Sequence, residues 1–429
     1  MPYFFPEEET LDRAGLDRLQ RERFAAMLEE VLKTNAFYAK KYRGSSFNGS
    51  KDGLAELPLT TRDEIQRDQV DNRPYGTNLT YPIDRYCRLH QTSGSSGQPL
   101  RCLDREVDWD WWKACWGVIY RAAGVEDSDR FMFPFSFGPF IGFWAAFESA
   151  VALGNLCLPA GGMTTTARLR FMLDNDVTFV GCTPTYALRM AEVAGEQGLD
   201  LAHSKVRGLI IAGEPGGSIP STRGRIESAW GARVFDHPGM TEMGPYGFEC
   251  VESPGGVHIN ETAFIPEVIH QETGRPVPDG ESGELVLTNL GRWGSPLIRY
   301  RTGDCVRLTR RRCDCGRWFA RMEGGILGRI DQMLIIRGNN VYPAAIEGIL
   351  REFAEVAEFR LTVDQSSALA DLMIEIEPSA GVESGGLPGR IESAIRDRLH
   401  FKPTVRAVAP GTLPRFEMKA RRLVRKDAE

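Results

Sequence analysis

At 429 residues the chain is longer than one hydrophobic core usually serves, so a large domain with a smaller partner is expected. Its 42% hydrophobic and 26% charged residues match an ordinary globular protein. A formal net charge of -6 excludes a nucleic-acid binder that relies on a general positive field, though not a local basic patch. The opening MPYFFPEEETLDR lacks the basic start and apolar run of a secretory signal, and no run of about 18 apolar residues follows. No membrane partner is therefore expected, and the cytoplasm is the expected location.

From Glu8 to Tyr42, apolar residues recur at three and four spacing with charge between them, which predicts amphipathic packing helices. A polar stretch around Gly44 to Gly53 reads as a loop. The segment TSGSSGQP then lies between the strand-like runs YCRLHQ and RCLDRE. In the middle of the chain VTFVGCTP (Val177 to Pro184) reads as a strand, TYALRMAEVAGEQG as a helix and VRGLIIAGEP (Val206 to Pro215) as a strand. A helix over Pro220 to Trp230 and the strand of ARVFDHPGMTEMG follow. That alternation predicts an α/β sheet, whose ligands gather at strand ends. Past Gly255, GELVLTNL and PLIRYRTGD indicate a β subdomain. From Gly328 a turn, one strand and a helix opened by Pro343 are expected, then strands in VAEFRLTVD and ALADLMIEIEP. A glycine-rich break (Ser379 to Gly389) and a helix RIESAIRDRLH complete a small α+β unit beginning near Asp331.

Two clusters carry chemistry. Thr92, Ser93, Gly94, Ser95, Ser96 and Gly97 combine hydroxyls and glycines, the material of a concave anion site built from N–H and O–H groups, but equally of a flexible turn. No Gly-Lys pair occurs, so this is not a Walker A loop, and the G-x-S-x-G order of a hydrolase is absent from it. Cys250, His258, Cys313 and Cys315 could form a closed zinc set of three thiolates and one imidazole. The short C-x-C spacing leaves redox or unpaired core cysteines open. The six other cysteines (Cys87, Cys102, Cys115, Cys157, Cys182, Cys305) read as small core residues.

TSGSSGQP at Thr92, AGEP at Ala212, MTEMGPYGFEC at Met240, YRTGD at Tyr300, GRIDQMLIIRGNNVYPAAIE at Gly328 and PGTLPRFEMKARR at Pro410 occur in one order. Together they resemble the adenylate-forming superfamily of acyl-CoA synthetases and adenylation domains, in its phenylacetate-CoA ligase branch. The resemblance implies an α/β fold: a large multi-subdomain N-terminal domain over residues 1–330, with α/β sheets and a β subdomain, and a small mobile α+β domain over 331–429. It implies ATP-dependent activation of a carboxylic acid as an acyl-adenylate, followed by transfer to the thiol of CoA. The implied roles are Glu242 on Mg²⁺, Thr241 near the α-phosphate, and Asp304 and Arg329 at the ribose. Gly213, Glu214 and Pro215 fall on the adenine side, with Asp236 and His237 among the nucleotide contacts. Asp331 is the implied hinge and Lys419 the adenylation lysine, which leaves the site before the thiol attacks. Matching Cys and His positions in that branch favour zinc at Cys250, His258, Cys313 and Cys315.

The chain departs from the family pattern twice. Gln98 replaces the lysine usual after the last glycine of the loop, and Pro238 stands where an aromatic residue usually stacks on adenine. The run FMFPFSFGPFIGFWAAF matches the segment bordering the acid pocket. Its aromatics, Phe137 and Phe140 among them, suit an aryl or arylacetic acid or simply fill the core. Two alternatives stand beside the CoA ligase: an adenylating enzyme that loads a carrier-protein phosphopantetheine or an amine, and a homologue with weakened catalysis, which Gln98 and Pro238 motivate. A homodimer is an allowed assembly.

Overall fold

The computed structural model describes the chain apart from residues 1, 45–50, 93–97, 136, 140, 143, 338, 365–369, 380, 383–384, 418 and 427–429 and the side chains at 51, 52 and 426. The amphipathic N-terminus forms helices Pro6–Glu9, Arg13–Thr34 and Ala36–Lys41. The longest of them turns Leu16, Phe24, Met27, Leu28 and Val31 inward. Part of the expected loop that follows is a 3-10 helix, Lys51–Glu56.

A parallel sheet forms the centre, in the order Leu156–Pro159, Arg130–Phe133, Phe179–Cys182, Gly208–Ala212, Arg233–His237. The apolar runs FVGC and GLII are buried throughout, as strands covered on both faces require. Helices Glu106–Ala122 and Trp144–Ala152 cover one face, and Thr165–Asp174, Pro184–Glu196 and Pro220–Trp230 the other. Next to it lies a six-stranded antiparallel sheet, in the order Phe264–Ile269, Ser282–Asn289, Tyr300–Thr309, Arg321–Arg329, Gly256–Ile259, Gly247–Phe248. Register irregularities follow Cys305, directly beside Asp304, at a position where a bulge can re-aim a side chain.

The last hundred residues build a smaller α+β unit with its own apolar core. Its four strands run in the order Thr404–Ala407, Asp371–Pro378, Val356–Asp364, Leu423–Lys426, packed with helices Pro343–Glu352 and Leu387–Leu399. The single strand expected after Gly328 is instead a hairpin: Leu334–Ile336 pairs with Asn339–Val341, and Arg337 adopts a left-handed conformation (φ 48°) between them. The final helix starts earlier than expected, at Leu387, because Pro388 fits its first turn. The basic C-terminal run also joins the sheet. Leu423–Lys426 pairs parallel to Val356–Asp364, and Arg422 is buried against Glu358 at 2.6 Å. Of the cysteines assigned to the core, Cys102, Cys115, Cys182 and Cys305 are buried and Cys157 is half-buried. Cys87 is exposed, because it stands just before the edge strand Arg88–Gln91, outside the helix layer. Among the described residues no helix is long and apolar enough to cross a membrane.

Candidate active site

Three turns meet where the parallel sheet faces the antiparallel one. Strand Gly208–Ala212 ends in Gly213, Glu214 and Pro215. Gly213 has φ +97°, and a Cβ there would come within 3.1 Å of Lys419 Cε, so a glycine lets the lysine stem lie against the backbone. Glu214 bridges two elements: one oxygen accepts from the Thr185 N–H at 2.9 Å, the other from the Ala420 N–H at 2.8 Å. The residue beside Lys419 is thus tied to the start of helix Pro184–Glu196. Pro215 is exposed next to it.

Strand Arg233–His237 leads into the second turn. Asp236 accepts from the Ser218 hydroxyl at 2.5 Å, and burial pushes its carboxyl up to about 6. The His237 ring turns inward, 4.3 Å from Trp116, with Nδ1 2.7 Å from the Gly247 carbonyl, and burial lowers its pKa to about 4. It therefore does not present its ring in the place left by the missing aromatic. Pro238 is itself buried, packed so closely on Gly247 that a Cβ there would meet its ring at 2.5 Å. Thr241 and Glu242 are pinned from behind. The wholly buried Arg292 donates to both their carbonyls, at 2.9 and 2.8 Å, and pairs with Asp104 at 2.6 and 2.8 Å. The Glu242 carboxylate accepts from the Tyr300 hydroxyl at 3.0 Å and lies 3.4 Å from Arg62.

The third group comes from paired strands. Asp304 and Arg329 are register partners, and their side chains meet at 3.0 Å. The Tyr246 hydroxyl donates to Asp304 at 3.2 Å. Burial raises the Asp304 carboxyl to about 6, with Arg329 and Tyr246 opposing that rise. Arg329 also reaches Asp331, at 3.2 Å, in the 3-10 turn Ile330–Gln332. The Lys419 ammonium is lowered by burial and by Arg329, while Glu214 and Glu242 favour its charge. Lys419, Glu214, Glu242, Asp304 and Arg329, drawn from five distant stretches of sequence, therefore share one electrostatic environment.

Of the anion loop, Thr92 and Gln98 are described, whereas Ser93, Gly94, Ser95, Ser96 and Gly97 lie outside the described residues. Its flanks are strands as expected, and they pair with each other, Arg88–Gln91 antiparallel to Arg101–Asp104. Phe137 belongs to an aromatic cluster with Phe135, Trp144 and Phe147, with ring centroids 5.0, 4.4 and 5.4 Å away. Phe140 lies outside the described residues. Tyr246 and Tyr300 fall inside the segments MTEMGPYGFEC and YRTGD, which gave them no role, and nothing in the sequence marks Arg62 or Arg292 as parts of the site. Only Thr61-x-x-Glu64 is visible, as a helix-capping box that announces the helix but not what Arg62 touches.

Cys250, His258, Cys313 and Cys315 converge at the far end of the antiparallel sheet. Their ligand atoms all lie within 4.8 Å of one another. The closest separations are 3.7 Å from Cys250 Sγ and from Cys315 Sγ to His258 Nε2, and 3.8 Å between Cys250 and Cys313. Zinc–sulfur bonds of about 2.3 Å in a tetrahedron demand ligand edges of roughly 3.7 Å. His258 Nδ1 lies 3.4 Å from the Phe319 carbonyl, an outer partner that would leave Nε2 free for a metal.

The chain matches the family of AMP-binding enzymes over residues 79–291 and that of the AMP-binding enzyme C-terminal domain over residues 338–426. The phenylacetate-coenzyme A ligase of Thermus thermophilus is 31% identical, covering 96% of each chain, and that of Escherichia coli K12 is 29% identical over 97% of this chain and 96% of its own. The chain belongs to the phenylacetate-CoA ligase family of AMP-binding enzymes. A solved 2-hydroxyisobutyryl-CoA ligase in its postadenylation state, bound to 2-HIB-AMP, matches this AMP-binding enzyme with a TM-score of 0.94 at 27% identity, over 99% of this chain and 93% of that one. The same ligase in its thioesterification state, with 2-HIB-AMP and CoA, matches with a TM-score of 0.75 at 28% identity, over 99% and 92%. Coverage is nearly equal, so the arrangement of parts in this AMP-binding enzyme is more similar to that of the former structure.

Proposed function

We propose that this chain, an ATP-dependent, AMP-forming acid-CoA ligase by family, activates an aryl or arylacetic acid using the residues gathered around Lys419. The observation that carries the assignment of residues is the convergence of Lys419, Glu242, Asp304 and Arg329 at the strand ends. In the first half-reaction the substrate carboxylate attacks the α-phosphate of ATP, forming the acyl-adenylate as pyrophosphate leaves. Lys419 brings positive charge to the carboxylate and α-phosphate, while Asp304 and Arg329 hold the ribose. Thr241 lies beside the α-phosphate, and Gly213, Glu214, Pro215 and Asp236 line the nucleotide side. Glu242 is the residue to hold Mg²⁺, which neutralises phosphate charge when bound.

In the second half the CoA thiol attacks the adenylate carbonyl, giving the thioester and AMP. We place the division between domains at residues 330 and 331, with Asp331 as the hinge that carries Lys419 out of the way. The aromatic cluster around Phe137 supports a planar apolar acid. The donor set and edge lengths of Cys250, His258, Cys313 and Cys315 fit a structural zinc, which would tie the segment after Glu242 to the β subdomain. ATP and CoA are both available in the cytoplasm, where we place the enzyme.

The decisive experiment is acid-dependent exchange of pyrophosphate into ATP over a panel of aryl and alkyl acids. Exchange is expected with aryl acids, and Lys419→Ala should reduce it by roughly a hundredfold or more. No exchange with any acid would overturn the reading, and exchange unaffected by Lys419→Ala would remove that residue from its role.

A further inference from the structure

Gln98 stands where the family resemblance leads one to expect a lysine after the glycine and hydroxyl segment, yet a cation, Arg62, meets Thr92 where that segment begins. Helix Arg62–Asp71 reaches the residues that flank the loop, Thr92 and Gln98, through side chains on one helical face. Arg62 Nη2 donates to Thr92 Oγ1 at 3.0 Å, where the loop begins. Gln66 Nε2 donates to the Gln98 carbonyl at 2.8 Å, where it finishes, and Gln69 exchanges two bonds with the Arg101 backbone at 2.7 and 2.9 Å. The segment entering this helix is fixed in turn. Thr60 bridges to Tyr300, its N–H donating to the Arg299 carbonyl at 2.8 Å and its carbonyl accepting from the Arg301 N–H at 2.9 Å. Arg62 is thereby locked to the strand whose Tyr300 holds Glu242.

We infer that Arg62 is the side-chain cation for the outer phosphates of ATP, in place of a lysine at position 98. This rests on the nucleotide reading proposed above. Arg62 joins two groups that would flank those phosphates: Thr92, just before the anion loop, and Glu242, 3.4 Å from its Nη1. Its guanidinium is also under-used. Nε is buried with no hydrogen-bond partner, while the side chain keeps 26% exposure, so the group retains donor capacity and is open to a ligand. The pairing with Glu242 is single and long rather than a fork. A planar fork of donors suits phosphate oxygens far better than one carboxylate edge. Gln98, by contrast, points its exposed side chain outward from a loop end already tied by its backbone.

The test compares ATP and AMP, which differ in the outer phosphates alone. Titration calorimetry with Mg²⁺ present, on the full chain without acid, should show Arg62→Gln weakening ATP by about tenfold or more while AMP affinity is unchanged. Arg62→Lys should keep most of the ATP affinity, and Gln98→Lys should restore it in the Arg62→Gln background. Equal weakening of ATP and AMP would make Arg62 a mere prop for the loop and overturn the inference, as would unchanged ATP affinity. Both nucleotides are measured on protein whose melting temperature is checked, and Arg62→Lys covers the case in which Arg62→Gln unfolds. Pyrophosphate exchange in the unaltered enzyme is read separately. Its absence defeats the ligase reading, whereas intact exchange with unaltered ATP binding in Arg62→Gln defeats the role of Arg62 alone.

Discussion

Asp304 shows how one residue can tie nucleotide binding to pH. In the proposed ribose role its carboxylate must be ionised to accept from two hydroxyls at once, and burial lifts its pKa to about 6. The sign follows: below about pH 6 the group carries a proton and loses acceptor capacity, so ATP affinity should fall as pH drops through 6 and level off above it. Arg329 opposes the rise, so in Arg329→Gln the fall should move to higher pH. ATP affinity that is flat from pH 5 to 8 in calorimetry would show that Asp304 does not hold the ribose. Lys419 bears the opposite shift. Burial lowers its pKa, with Arg329 adding to the fall and Glu214 and Glu242 opposing it.

At the scale of elements, a buried ion pair decides where Glu242 points. Arg292 and Asp104 are 1% and 0% exposed, and Arg292 spends its remaining donors on the Thr241 and Glu242 carbonyls. Asp104→Ala would strand a guanidinium in the core. It should cost about 3–5 kcal/mol in urea unfolding, with weaker ATP binding as the turn loosens. A loss below about 1 kcal/mol would mean that the turn does not depend on the pair. The cysteine–histidine cluster makes a second statement at this scale. Purified protein should carry about one zinc per chain, and Cys313→Ser should lose the metal and melt earlier. Metal-free protein of unchanged stability would overturn the zinc reading of these three thiols and one imidazole. The candidate ligands were legible because cysteine and histidine are rare and chemically marked. Arg62 and Arg292 were not, because an arginine among so many has meaning only through the partner it meets.

Across the whole molecule, the smaller unit is latched to the larger by side chains on both sides of Lys419. Thr165 donates to Glu417 at 3.0 Å, Arg415 pairs with Glu192 at 3.3 Å, and Arg422 donates to Thr185 at 3.1 Å. These contacts hold the arrangement that resembles the postadenylation state of the 2-hydroxyisobutyryl ligase. If Asp331 is the hinge between the two arrangements, Asp331→Pro should leave pyrophosphate exchange near normal and slow thioester formation by roughly tenfold or more, because proline fixes the φ that must change. Equal loss of both half-reactions would place the pivot elsewhere. The sequence by itself determined the alternation of strands and helices from Val177 to His237 and the N-terminal helices, since periodicity and capping are local, and it marked Glu242, Asp304, Arg329 and Lys419 through the segments that resemble a family. Only the tertiary structure decided that His237 faces Trp116, that the basic C-terminal run becomes a strand, and that Arg62 meets Thr92 and Glu242. Such pairings join residues far apart in the chain, and their energies depend on burial and distance that no local pattern carries.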